Sequence, residues 1–222
     1  HQDETYITNT LSVENAVFIA NKLDIPVLYI STAGIFDGKQ DTYDDWDLPN
    51  PLGHYARSKY AGELYVQQNA PRHLICRAGW MMGAGPNKDK KFIQKIMSQI
   101  KGGNKELFVV NDKLGTPTYT HDFAANVQLL LEKELWGLYN MVCGGITGRL
   151  EVAEELVRLL NLNDLIKVTP VDSSHFQKEY YADRPPSERL LDTKLNLRGA
   201  NIMRDWKICL QEYIKDYYHD YL

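Results

Sequence analysis

The sequence predicts an α/β fold: a doubly wound parallel sheet followed by a small C-terminal α/β lobe. Three observations predict it. Helical and strand patterns alternate along most of the chain. The strands among them are short, continuously apolar and rich in β-branched and aromatic residues, as strands buried on both faces are. The last seventy or so residues lose that regularity, which suits a smaller lobe. Helix–strand–helix–strand order calls for right-handed crossovers and hence for parallel strands.

The elements follow in order. "ETYITNTLSVENAVFIANKL" has helical spacing, with Ile7, Leu11, Ala16, Ile19 and Leu23 toward one side. "IPVLYIST" is a buried strand, and "AGIFDGKQDTYDDWDLPNPLG" an irregular loop with turn residues throughout. "HYARSKYAGE" opens a helix, "RHLICRAGW" is a second buried strand, and "KKFIQKIMSQIKGG" a helix with a Gly-Gly stop. "KELFVV" reads as a strand, "YTHDFAANVQLLLEK" as a helix, "GLYNMVC" as a strand and "LEVAEELVRLLN" as a helix. Beyond "LIKVTPV" the chain is irregular until the closing aromatic helix "DWKICLQEYIKDYYHDYL", whose tyrosines suit packing or a homodimer face.

Composition excludes several classes. Hydrophobic residues make up 44% and charged residues 24%, the balance of an ordinary globular protein. A net charge of −4 without any Lys/Arg-rich run argues against nucleic acid as a partner. No apolar run approaches the roughly 18 residues of a membrane helix, and "HQDETYITNT" is not a signal peptide. The three cysteines form no CxxC pair, so neither a disulfide framework nor a zinc site is expected, and a cytoplasmic setting follows. The histidines show no HExxH pairing, and no GxSxG elbow is present. The acids of "DTYDDWD" read as a solvated cluster rather than a metal site.

Tyr55 and Lys59 are the first candidates for chemistry. Four residues apart on a helix, they share one face. A free tyrosine has a pKa of about 10. A neighbouring ammonium stabilises the phenolate and lets the phenol exchange a proton with a substrate oxygen. Alone, the spacing is a common helix-surface pattern. Its surroundings change its weight. Ala56, Ser58, Ala61 and Gly62 would let the helix lie against another backbone or a ligand. Ser31 and Thr32 end a buried strand, and ligands of open α/β sheets bind beyond the carboxyl ends of strands. A hydroxyl there can hydrogen-bond a carbonyl oxygen beside the tyrosine.

"STAGIFDG … NPLGHYARSKYAGE" resembles the extended short-chain dehydrogenase/reductases, and within them is most similar to the dTDP-4-dehydrorhamnose reductases. "LICRAGWMMG", "GTPTYTHDFA", "GLYNMVCGG" and "RPPSERLLDTKL" continue the resemblance in order over nearly the whole chain. It implies an NAD(P)-binding Rossmann-like domain over residues 1–80 and 119–145 and a substrate-binding lobe over residues 81–118 and 146–222. It implies hydride from NADPH or NADH to C4 of a nucleotide-linked 4-keto-6-deoxysugar, in deoxysugar biosynthesis. Tyr55 would be the proton donor. Lys59 would tune Tyr55 and hold the nicotinamide ribose. Thr32 would bind the substrate carbonyl with Ser31 beside it, and Asn9 would support the lysine through backbone or water. Trp80 would line the sugar pocket, a core aromatic being the alternative. Arg184 would touch the nucleotide diphosphate, a structural salt bridge being the alternative.

The chain also departs from the pattern. Ala33 and Gly34 stand where the family has Asp and Tyr, and Met81–Met82 where it has Val-Tyr. No Gly-rich phosphate turn is present near the N-terminus, so about 70 residues of the family fold are expected to be missing. These residues alone are then expected to be inactive and to bind NAD(P) weakly. "CGGITGRLEVAEEL" could form an anion-binding turn, with a tight strand-to-helix loop as the plainer reading. Two rivals remain: a nucleotide-sugar epimerase of the same superfamily, and a non-catalytic regulatory subunit on this fold.

Overall fold

The computed structural model describes residues 2–176 and 185–222. Helix α1 (Gln2–Tyr6) runs through a π turn (Ile7–Leu11) into α2 (Ser12–Leu23), where spacing alone predicts one unbroken helix. Asp24, at φ +51°, ends α2. Strand β1 (Val27–Thr32) follows, then a long loop, α3 (His54–Asn69), β2 (His73–Ala78) and β3 (Trp80–Met82). Next come α4 (Phe92–Lys101), β4 (Glu106–Val110), β5 (Leu114–Gly115) and β6 (Pro117–Tyr119). The chain continues through α5 (Thr120–Glu132), β7 (Gly137–Asn140), α6 (Arg149–Leu159) and β8 (Lys167–Val171). It closes with β9 (Ser187–Glu188), α7 (Thr193–Leu197) and α8 (Trp206–Tyr218).

Strands β1, β2 and β7 form a parallel sheet in the order β1–β2–β7. The central strand β2 carries Leu74, Ile75 and Cys76 fully buried, as a continuous apolar run requires. β1 is different. Tyr29 and Ser31 are buried while Leu28 and Ile30 are exposed, as are Ile7, Leu11, Ile19 and Leu23 on the preceding helical segment. Among the described residues the outer edge of β1 pairs with nothing. Parallel strands are ordinarily covered on both faces, so the apolar stripe read from the sequence is real but faces away from the described core.

The largest apolar cluster lies elsewhere. It joins Ile93 and Met97 of α4, Leu107 of β4, Leu156 of α6, and Trp206, Leu210 and Tyr213 of α8. Parallel pairing of β4 with β8 closes it. Tyr213 and Tyr218 are buried there, so these two tyrosines of α8 pack inside the cluster. All three cysteines are buried and free. The "CGGITG" turn is a packing turn: a Cβ on Gly145, at φ +90°, would meet Asp205 Oδ2 and Trp206 Cδ1, both at 2.8 Å. The "DTYDDWD" acids are not a solvated cluster throughout. Asp45 is buried, and its carboxylate accepts from the Asn140 and Lys194 backbone N–H groups at 2.7 and 2.8 Å. Among the described residues no group of three His, Cys, Asp or Glu is placed to hold a metal ion.

Candidate active site

Helix α3 is held against β1 and the π turn by its small residues. A Cβ on Gly62 would lie 2.5 Å from the Asn9 carbonyl oxygen and 2.7 Å from Tyr29 Oη, so only glycine allows this approach. Ser58, fully buried, donates to the Tyr55 carbonyl at 2.8 Å and accepts from Asn9 Nδ2 at 3.0 Å. The Thr10 hydroxyl donates to the Ser58 carbonyl at 2.9 Å. Asn9 therefore supports the helix through Ser58, the residue before Lys59. The π turn swings Asn9 into that position, a common use of such turns.

Lys59 is anchored at the strand. Its Nζ donates to the Ile30 carbonyl at 2.7 Å and stands 4.1 Å from the centroid of the Tyr29 ring. Tyr29 in turn donates its hydroxyl to the Lys59 carbonyl at 2.8 Å. Burial lowers the Lys59 pKa, and the Glu63 carboxylate opposes that shift. Burial raises the Tyr29 pKa, with Glu63 and Tyr55 adding to the effect. Tyr29 is thus a neutral strut at working pH, while Tyr55, one turn from Lys59 and 57% exposed, opens to solvent.

Thr32 and Ser31 sit at the carboxyl end of β1. The Gly34 backbone N–H donates to Thr32 Oγ1 at 3.2 Å, which leaves the threonine O–H free to donate outward. Ser31 is buried, and among the described residues its Oγ has no hydrogen-bond partner.

Behind Lys59 lies a pair that the sequence did not reveal. Glu63 and Arg77 are both buried; Nη2–Oε1 is 2.5 Å and Nε–Oε2 3.2 Å, a two-point contact. Tyr55, Lys59 and Glu63 fall at i, i+4 and i+8 on α3, so one helix face runs from the exposed phenol to the buried carboxylate. The spacing signal was present, but a helix glutamate reads as a surface residue until the β2 arginine is known to face it.

Trp80 opens β3 and is half-buried. Its indole Nε1 donates to Glu188 Oε2 at 2.9 Å, and the Arg149 guanidinium lies 4.5 Å above its ring. Neither charged residue was singled out in the sequence. Arg184 lies outside the described residues.

A Tyr-x-x-x-Lys helix face set beside a hydroxyl-bearing strand end, on a parallel α/β sheet, is the arrangement of the short-chain dehydrogenase/reductases. Residues 1–219 match the RmlD substrate binding domain. The dTDP-4-dehydrorhamnose reductase of Salmonella typhimurium is 30% identical over 212 residues, 91% of this chain and 69% of that protein. The crystal structure of the Yersinia enterocolitica dTDP-4-dehydrorhamnose reductase superposes with a TM-score of 0.88 at 32% identity, covering 95% of this chain and 73% of that one. That of Bacillus anthracis, in complex with NADP, gives 0.89 at 27% identity, covering 97% and 74%. The chain belongs to the dTDP-4-dehydrorhamnose reductase family.

Proposed function

We propose that this chain carries the proton-donor site of an NAD(P)H-dependent reductase acting on a nucleotide-linked 4-keto-6-deoxysugar. The observation that carries the reading is the Lys59–Ile30 contact. It pins the ammonium to β1, one residue before the Ser31–Thr32 hydroxyls and one helical turn from Tyr55. Thr32 donates its free O–H to the substrate carbonyl. Tyr55 passes its phenolic proton to the C4 oxygen as that oxygen gains charge, and Lys59 favours the phenolate left behind. NADPH or NADH, when bound, supplies the hydride to C4. Two observations support the fit of that cofactor. The buried Ser31 Oγ lacks a partner, and among the described residues Lys59 Nζ donates only to Ile30, leaving donors for ribose hydroxyls. Asn9 holds this frame from behind. Trp80 and Arg184 are assigned to the sugar-nucleotide side.

Residues 1–80 and 119–145 are assigned to the nucleotide-binding part and residues 81–118 and 146–222 to the sugar lobe; the apolar clusters around β2 and around α8 follow this division only in part, because Leu195, Ala200 and Met203 pack with β2 and Tyr119 and Cys143 pack with α8. A cytoplasmic setting is supported by three free thiols. No helix of the described residues is long and apolar enough to cross a membrane.

Tyr55→Phe in the full-length protein tests the reading. Turnover of dTDP-4-dehydrorhamnose is expected to fall roughly 10²–10⁴-fold, the usual worth of a positioned proton donor, with cofactor affinity retained. Unchanged turnover would remove Tyr55 from the mechanism.

A further inference from the structure

We infer that Glu188 is a substrate-positioning residue, its Oε1 accepting a hydrogen bond from the ring hydroxyl next to the sugar carbonyl that Thr32 holds. The inference rests on the reductase reading above.

The geometry builds from Trp80 outward. Glu188 ends β9, paired in register with Gly115 of β5. Its Oε2 accepts the Trp80 indole N–H at 2.9 Å. Gly115 packs so closely on the six-membered ring of Trp80 that a Cβ there would lie 2.3 Å from Cζ2. Arg149 covers the ring at 4.5 Å and reaches Phe92 at 5.1 Å. The indole is therefore clamped, and so is the carboxylate bonded to it.

The other oxygen points to the catalytic strand end. A Cβ on Gly34 would stand 3.1 Å from Glu188 Oε1 and 3.5 Å from Thr32 Oγ1. Oε1 and the Thr32 hydroxyl thus flank one gap, kept open because residue 34 has no side chain. Among the described residues Oε1 accepts no hydrogen bond, whereas Oε2 is used by Trp80. An ionised carboxylate only accepts, so this oxygen selects a donor. Thr32 does the opposite and donates to a carbonyl. A sugar presenting C4=O to Thr32 carries its neighbouring hydroxyl, at C3, on the adjacent ring carbon, within reach of the second group. The pair together reads an acceptor and a donor on adjacent carbons, which fixes the ring's orientation. A site built to bond a substrate hydroxyl also rejects analogues lacking it.

The test compares dTDP-4-dehydrorhamnose with its 3-deoxy counterpart in the full-length protein. Unaltered protein is expected to prefer the hydroxylated sugar. Glu188→Ala is expected to lose roughly tenfold or more in kcat/KM on that sugar, most of it in KM, and little on the 3-deoxy sugar. Trp80→Phe frees Oε2 but leaves Oε1, and is expected to keep the preference. Equal losses on both sugars in Glu188→Ala would show that Glu188 acts only by holding Trp80, and overturn the inference; no loss on either would do the same. If the unaltered protein turns over neither sugar, the reductase reading fails. Calorimetric binding of the two dTDP-sugars to the same three proteins then decides the Glu188 inference, equal affinities overturning it.

Discussion

Removing one partner of the Glu63–Arg77 pair probes the frame of the site directly. Both side chains are out of solvent, with relative exposures of 0% and 4%. Glu63→Leu would leave the Arg77 guanidinium buried with no counter-charge, and its Nη1 already has no partner among the described residues. Breaking a buried pair on one side costs about 3–5 kcal/mol. At about 2–4 °C per kcal/mol for a domain of this size, the melting temperature should fall by roughly 6–20 °C. Arg77→Met should cost a similar amount by stranding the carboxylate. The double substitution should regain most of the loss, because apolar groups of similar volume replace a buried ion pair at little net cost. The assay is thermal or urea unfolding of all four proteins, completed as a double-mutant cycle. A cost under about 1 kcal/mol for either single change, or a double change that costs as much as the two singles summed, would rule out a coupled buried pair. A second readout follows from the same geometry: without Glu63 nothing opposes the desolvation of Lys59, so its pKa should move further down.

Two more outcomes are expected. Gly62→Ala should destabilise by about 1–3 kcal/mol despite alanine's better helix propensity, because its Cβ meets the Asn9 carbonyl at 2.5 Å; Gly53→Ala, with nothing within 4 Å, is the control. Chemical denaturation of both reads the difference, and equal stabilities would refute the close approach. The Asp37 carboxylate is held at about 2, first by the Asn50 side-chain amide and then by the Lys39 backbone N–H. Its folded value lies below the ordinary 3.8, so its contribution is present above pH 3.8 and lost as pH falls toward about 2. Asn50→Ala should shrink the acid-induced loss of stability in that window, and an unchanged acid profile would count against the bond.

Much of this was legible in the sequence because the signals were local. The run "IPVLYIST" makes β1 wherever it stands, and "HYARSKYAGE" keeps its helical face on α3. What was not legible depends on residues distant in the chain. The π turn at Ile7–Leu11 follows from Asn9 and Thr10 bonding to Ser58, a contact across two elements that helical periodicity cannot show. Asp45 looked solvated in its acidic run and is buried because the chain returns at Asn140 and Lys194 to supply amide donors. Glu188 and Arg149 meet Trp80 only through the short β5–β9 pair and the start of α6, elements too brief to carry a pattern of their own.

The three thiols have a practical use at the bench. Cys76, Cys143 and Cys209 are all sealed inside, and burial pushes the Cys76 thiol up to about 12. Burial keeps alkylating dyes from reaching any of the three in the native protein, and the Cys76 thiolate, the form that would attack them, is scarce. A single cysteine placed on the exposed loop at Trp46 or Leu48 would take a fluorophore almost alone, reporting events near the site without any background to subtract. The native thiols would then serve as a second clock: each would label only when its own region opens, and the order of labelling would rank β2 against α8 in the sequence of unfolding.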